Sequence, residues 1–215
     1  MNHQTYAVFG LGRYGRAVAT ELLRGGAEVL AVDADLAKVN AAAVDIPVCK
    51  CADVTDKEVL ARLGITNFDT VIIAMAGNLE SSVMATLLCK EMGVKTVIVK
   101  CGNEMHQKIL LRVGADKVIF PESESGIRLA KNLLSAGFVD VIDLSNDVSM
   151  VELDVRAEWV GKTLPELDLR KKYSINVVAI RRGDDVSINV DPTVPLAASA
   201  RLIVIANTQK LKKLK

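Results

Sequence analysis

No sign of charge predominates in this sequence: 27 lysines and arginines stand against 26 aspartates and glutamates in 215 residues. That balance removes any general electrostatic case for binding nucleic acid. No apolar run reaches the roughly 18 residues that a membrane-spanning helix needs. Proline is scarce, with five residues, while half the chain is hydrophobic. Wholesale disorder is thereby excluded, and the length suffices for one large domain or two small ones with a real core. The four cysteines lack the spacing of a disulfide framework and fit a reducing compartment. Met1 to Tyr6 is polar and leads straight into an apolar run, which is no signal peptide. The expectation is a soluble cytoplasmic α/β protein.

Catalytic signatures are missing as well. His3 lies at the N-terminus, His106 falls on a helical stretch and reads as a surface residue, and no histidine follows Leu144. A nicotinamide dehydrogenase needs a second domain that holds substrate and supplies an acid or base. There is no Tyr-x-x-x-Lys pair, no P-loop and no Gly-x-Ser-x-Gly. Cys49 and Cys51 alternate along a strand and point to one face, but Cys89 and Cys101 lie on other elements, so structural thiols are preferred to a metal site. The tail Lys210-Leu-Lys-Lys-Leu-Lys215 is either a solvated helix end or a contact for a membrane surface. No enzymatic activity is expected.

What is present is a strand–helix alternation. Apolar runs at Tyr6–Phe9, Val29–Val32, Ile46–Val48, Thr70–Ala74, Thr96–Val99 and Lys117–Phe120 are separated by helical stretches. Leu79, Val83, Leu87 and Met92 show the three- and four-residue spacing of one such helix, and Val59, Leu60 and Leu63 that of another. Strands apolar on both faces and joined by helices predict a Rossmann-like, doubly wound parallel sheet. Pro121 stops the sixth strand, and the spacing predicts a helix over Ser123–Ala136. A strand over Phe138–Leu144 and the polar break Ser145-Asn-Asp147 follow. Beyond it, strands near Met150–Val155, Asn176–Ile180, Val186–Val190 and Leu202–Ile205, with one helix over Leu164–Tyr173, predict a small C-terminal α+β lobe. The boundary is placed at Leu144, giving domains 1–144 and 145–215.

Gly10-Leu-Gly12-Arg-Tyr-Gly15 directly follows the first strand and opens the first helix. Gly10 permits a tight turn, Gly12 lets a phosphate approach the backbone, and Gly15 lets helix and strand pack closely. The exposed N–H groups and dipole of the helix start hold an anion. Asp33 closes the second strand, where an acidic side chain accepts from ribose hydroxyls and repels a 2′-phosphate. Together these residues point to an adenine nucleotide. Arg13 either meets a phosphate beyond those of a dinucleotide or is a solvated arginine on the first turn. Asp53 either meets the adenine edge or shares the next helix cap with Thr55 and Asp56. Asn78 and Lys100 follow the fourth and fifth strands and face the same crevice.

GLGRYG, then AVDAD, ADVTD, VIIAMAGN, and Arg112-Val-Gly-Ala-Asp116 leading into FPE together resemble the RCK family (regulators of potassium conductance). The similarity is greatest to its cytosolic KtrA/TrkA-type subunits of bacterial potassium uptake systems and covers essentially the whole chain. The resemblance implies a non-catalytic gating ring, built from homodimers that assemble into an octamer beneath a membrane-embedded potassium-translocating subunit. ATP and ADP would compete for the glycine-loop site, with Gly10, Gly12, Tyr14 and Gly15 around the phosphates, Asp33 on the ribose and Asp53 on the adenine. Arg13 would meet the terminal phosphate, including that of a dimer neighbour. Glu122 would help place a divalent cation, such as magnesium or calcium, between phosphates. By the same resemblance the C-terminal lobe would bind cyclic di-AMP, with Leu164 and Leu167 as apolar walls, Arg170 on a phosphate and Pro192 at the rim. The competing expectation is an NAD(H)-binding redox sensor on the same loop.

Overall fold

The computed structural model describes residues 4–134, 138–145 and 147–207; His3 and the lysine tail lie outside them. Contacts divide the chain into two units, Met1–Pro121 and Glu122–Lys215.

The first unit holds six parallel strands: β1 (Thr5–Phe9), β2 (Glu28–Asp33), β3 (Cys49–Cys51), β4 (Thr70–Ile73), β5 (Thr96–Lys100) and β6 (Lys117–Ile119). Their order is β3-β2-β1-β4-β5-β6, the doubly wound topology expected from the alternation. Helices α1 (Arg13–Arg24), α2 (Leu36–Ala42), α3 (Lys57–Arg62), α4 (Leu79–Glu91) and α5 (Glu104–Val113) connect them. The sheet is apolar on both faces because each is covered. Ala31, Val8 and Ile72 pack with Ala19, Val39 and Ala42, whereas Ala7, Phe9, Val71 and Ile73 pack with Leu60, Ala85 and Leu110. On α1 the buried positions are Gly15 and Ala19, small residues that let the helix lie close to the sheet. Because right-handed crossovers put strand order in reverse between β1 and β4, their carboxyl ends open a crevice there.

The third strand differs from expectation. Ile46–Val48 is not a strand: the Ile46 N–H donates to Ala42 O at the end of α2, and its side chain is fully buried. Pro47 has no N–H to give a ladder, so pairing with β2 starts at Cys49.

In the second unit, α6 (Pro121–Leu134), assigned across the dividing point, starts two residues earlier than expected. Pro121 takes the first helical position, where its missing N–H costs nothing. An antiparallel sheet ordered β10-β9-β11-β8-β7 follows. Its strands are β7 (Phe138–Asp143), β8 (Val148–Asp154), β9 (Ile175–Arg182), β10 (Asp185–Ser187) and β11 (Ala200–Asn207). β7, placed before the boundary at Leu144 by the sequence reading, pairs with β8. The expected strand over Val186–Val190 ends at Ser187, whose hydroxyl turns to bond the Asn189 carbonyl. The expected single helix over Leu164–Tyr173 is two, α7 (Leu164–Leu167) and α8 (Leu169–Tyr173). Asp168, between them, adopts φ 48°, a left-handed conformation that a short polar side chain tolerates but a helix interior does not. Strict burial alternation along β11 directs Leu202, Val204 and Ala206 onto Trp159, Leu167 and Leu169.

Leu60 is completely buried between α3 and the sheet. Leu60→Ala is expected to cost about 2–5 kcal/mol, measured as a lowered denaturant midpoint with an unchanged slope.

Candidate functional site

The glycine loop stands at the carboxyl edge of the first sheet. Gly10 has φ 91°, a left-handed backbone that disfavours any side chain, and its N–H donates to Val32 O at 2.8 Å. A Cβ at Gly10 would also come within 2.9 Å of Met75. Gly15 is more tightly confined: a Cβ there would stand 1.9 Å from the Gly10 carbonyl oxygen and 3.2 Å from the Ala74 side chain. Gly12 is the opposite case, with nothing within 4 Å of an added Cβ. Two of the three glycines therefore serve packing, and the middle one borders open space.

Gly12 is also the N-cap of α1, and no side chain caps that end. The first turn carries no acidic residue. With no capping side chain and no first-turn acid, the dipole of that end favours an anion. Arg13 is exposed and has no ion-pair partner among the described residues. Tyr14, half-buried on the same turn, lies beneath the Lys100 ammonium from the end of β5, 5.5 Å from its ring centre. The structure thus brings Tyr14 and Lys100 together.

Asp33 is held against the loop from below. One carboxylate oxygen accepts from the Leu11 N–H at 2.7 Å, the other from the Asp35 N–H at 2.9 Å. Each oxygen keeps a second lone pair for a hydroxyl donor. Lys38 places its ammonium 3.8 Å from Asp33 and 3.7 Å from Asp35; sequence reading passed over it, although its i,i+3 spacing from Asp35 was a signal. Asp53 is exposed beyond β3 and accepts from both the hydroxyl and the N–H of Thr55, at 2.7 and 2.9 Å. Those bonds hold its carboxyl below the ordinary value and keep it ionised. The cap of α3 belongs instead to Asp56, which accepts from the N–H groups of Glu58 and Val59. Asn78 caps α4 by accepting from the Ser81 N–H at 3.0 Å. His106 is half-buried on the first turn of α5, its Nδ1 3.9 Å from the position a Cβ on Gly102 would take.

In the second unit, Leu164 donates its N–H to the Pro192 carbonyl at 3.2 Å, which joins two of the candidate ligand residues. Leu164 is half-buried, and Pro192 and Arg170 are exposed. Leu167 is directed into the core, 5% exposed. Thr163 and Glu166 form a reciprocal capping box that fixes the start of α7. Glu122 is an exposed residue on the first turn of α6. Among the described residues no three His, Cys, Asp or Glu side chains cluster to hold a metal, and no helix is long and apolar enough to cross a membrane.

Comparison with known proteins follows the same division. The TrkA-N domain family matches residues 6–121 and the TrkA-C domain family residues 148–215. The chain is 39% identical over 208 residues to the Ktr system potassium uptake protein C of Bacillus subtilis, covering 97% of this chain and 94% of that protein. It is 36% identical over 206 residues to the Ktr system potassium uptake protein A of Vibrio alginolyticus, covering 96% and 94%. The fold is also that of a structure described as the GsuK channel bound to NAD, with TM-score 0.54 and 24% identity over 99% of this chain. There this chain spans 38% of the channel polypeptide.

The three glycines give different expectations. Gly15→Ala forces backbone atoms apart and should cost more than about 2 kcal/mol, whereas Gly12→Ala should stay within about 0.5 kcal/mol. Thermal unfolding of the two variants checks this, with equal losses counting against the assigned roles.

Proposed function

This chain belongs to the TrkA-N/TrkA-C family of Ktr and Trk potassium uptake proteins, and from that premise we propose that it is a nucleotide-controlled regulatory subunit of a potassium uptake system. One observation carries the reading. The helix start at Gly12 is uncapped, free of acidic side chains and bordered by open space, and Asp33 is fixed beneath the loop. That arrangement suits phosphates on the backbone and a ribose on the carboxylate.

ATP and ADP are the ligands in this proposal. Gly10, Gly12 and Gly15 form the phosphate cradle, Asp33 takes the ribose, and Asp53 takes the adenine edge. Arg13, exposed and without an ion-pair partner among the described residues, meets the terminal phosphate. Asn78, although engaged as a cap, keeps its side-chain N–H₂ for the crevice. Glu122 would meet a divalent cation only together with nucleotide phosphates, since an isolated carboxylate beside phosphate is repelled. Homodimers assembling into an octameric ring would dock, as a peripheral cytoplasmic assembly, on a membrane-embedded potassium-translocating subunit. The first unit then responds to nucleotide, while the second dimerises and offers Leu164, Arg170 and Pro192 to cyclic di-AMP, with Leu167 packed in the core behind them.

Control by nucleotide requires that ring conformations bind ATP and ADP with different relative affinity. A terminal phosphate with its cation supplies that difference if it reaches Arg13, because a diphosphate falls short. In liposomes containing this chain and its membrane subunit, Arg13→Ala should narrow the difference between potassium flux with ATP and with ADP. An unchanged ratio would refute the role of Arg13. The competing NAD(H) reading uses the same loop and Asp33 but leaves Arg13 without a third phosphate.

A further inference from the structure

Ser82 is 1% exposed and lies on the stripe of α4 that also carries Ala85, Thr86 and Cys89 inward. A hydroxyl buried among apolar groups costs free energy unless it finds an acceptor. Two are within reach of its single proton, the Asn78 carbonyl oxygen at 2.9 Å and the Met75 carbonyl oxygen at 3.1 Å. The first is the ordinary partner of a helical serine, one turn back. The second lies outside α4, in the loop 74–78 that leaves β4 at the carboxyl edge of the sheet. Thr86, one turn further along the stripe, is also fully buried. Its hydroxyl stays within the helix and donates to the Ser82 carbonyl at 2.6 Å.

The loop after β4 is one wall of the glycine turn. Ala74 donates its N–H to the Phe9 carbonyl at 2.7 Å. A Cβ on Gly10 would stand 2.9 Å from the Met75 side chain and 3.1 Å from Ala74 backbone atoms, and one on Gly15 would stand 3.2 Å from the Ala74 side chain. The seat of Met75 therefore limits the room that the turn has to move. The Met75 carbonyl also accepts from the Asn78 N–H at 3.0 Å, which closes the loop on itself, and the Ser82 hydroxyl ties that closed loop to the body of α4. Resting on the reading of the glycine loop as a nucleotide site, we propose that Ser82 is a positioning residue that seats Met75 against Gly10 and so holds the phosphate-binding turn in shape before nucleotide arrives. A turn already in shape loses less freedom on binding, which raises affinity with no contact between Ser82 and the ligand.

Two measurements on the full chain test this. Thr86→Val is the control, because it removes a buried hydroxyl from the same stripe without touching the loop. The first measurement needs no nucleotide. Amide hydrogen exchange at Asn78, whose N–H closes the loop, should quicken at least about threefold in Ser82→Ala and stay within about twofold in Thr86→Val. The second is calorimetric affinity for ATP and ADP. It should fall about three- to tenfold in Ser82→Ala, the scale of one net hydrogen bond, and less than about twofold in Thr86→Val. Unchanged exchange at Asn78 in Ser82→Ala would overturn the proposal whatever binds. So would a loss of affinity in Ser82→Ala no larger than that in Thr86→Val, with the parent binding normally. Failure of ATP, ADP and NADH alike to bind the parent would instead overturn the nucleotide reading, and exchange at Asn78 would still decide whether Ser82 braces the loop.

Discussion

A hydrogen at Gly15 is what allows α1 to begin where it does. With a Cβ 1.9 Å from the Gly10 carbonyl oxygen, the helix would have to retreat from the sheet, and the loop would open with it. Everything at the carboxyl edge rests on that contact. It sets the height of the uncapped helix start, the reach of Tyr14 towards β5, and the position of the Leu11 N–H that Asp33 grips at 2.7 Å. Gly10, with its left-handed backbone, closes the same turn from the other side. The open space at Gly12 exists because its two neighbours in the motif allow no slack.

Around this constraint, charge is arranged by backbone as much as by side chains. Asp33 is 10% exposed at its side chain, yet its carboxylate is matched by two N–H donors and a lysine at longer range. That matching makes burial of a charge tolerable. Asp53 is exposed and aimed by Thr55 alone. The two carboxylates therefore differ in kind: the first is built into the loop and the second is a pointing group at the surface. Arg13 belongs with the second type, and the half-buried Lys100, over the Tyr14 ring, with the first.

Much of this was legible in the amino-acid order. The doubly wound sheet follows from apolar runs separated by helical spacing, and the glycine loop from its place between a strand and a helix. The failures were local and had physical causes. Pro47 shifted the third strand by denying it an N–H, Asp168 split a helix by adopting a left-handed backbone, and Pro121 opened a helix instead of merely ending a strand. β7 lay on the near side of the expected boundary because nothing in Phe138-Val-Asp-Val-Ile-Asp143 itself says which sheet will pair with it. Within the site, periodicity could place Tyr14 and Lys100 on the same edge of the sheet. Their contact could not be read, since it depends on how far α1 sinks towards β4, which Gly15 and Ala74 decide in three dimensions.

The central claim is that the loop between β1 and α1 binds adenine nucleotides carrying a terminal phosphate. The most direct test is competitive calorimetry on the purified chain with ATP, ADP and NADH, with and without magnesium. The account predicts that ATP and ADP exclude one another at one site, with ATP alone strengthened by the cation. Tight NADH binding that ATP fails to displace would contradict it.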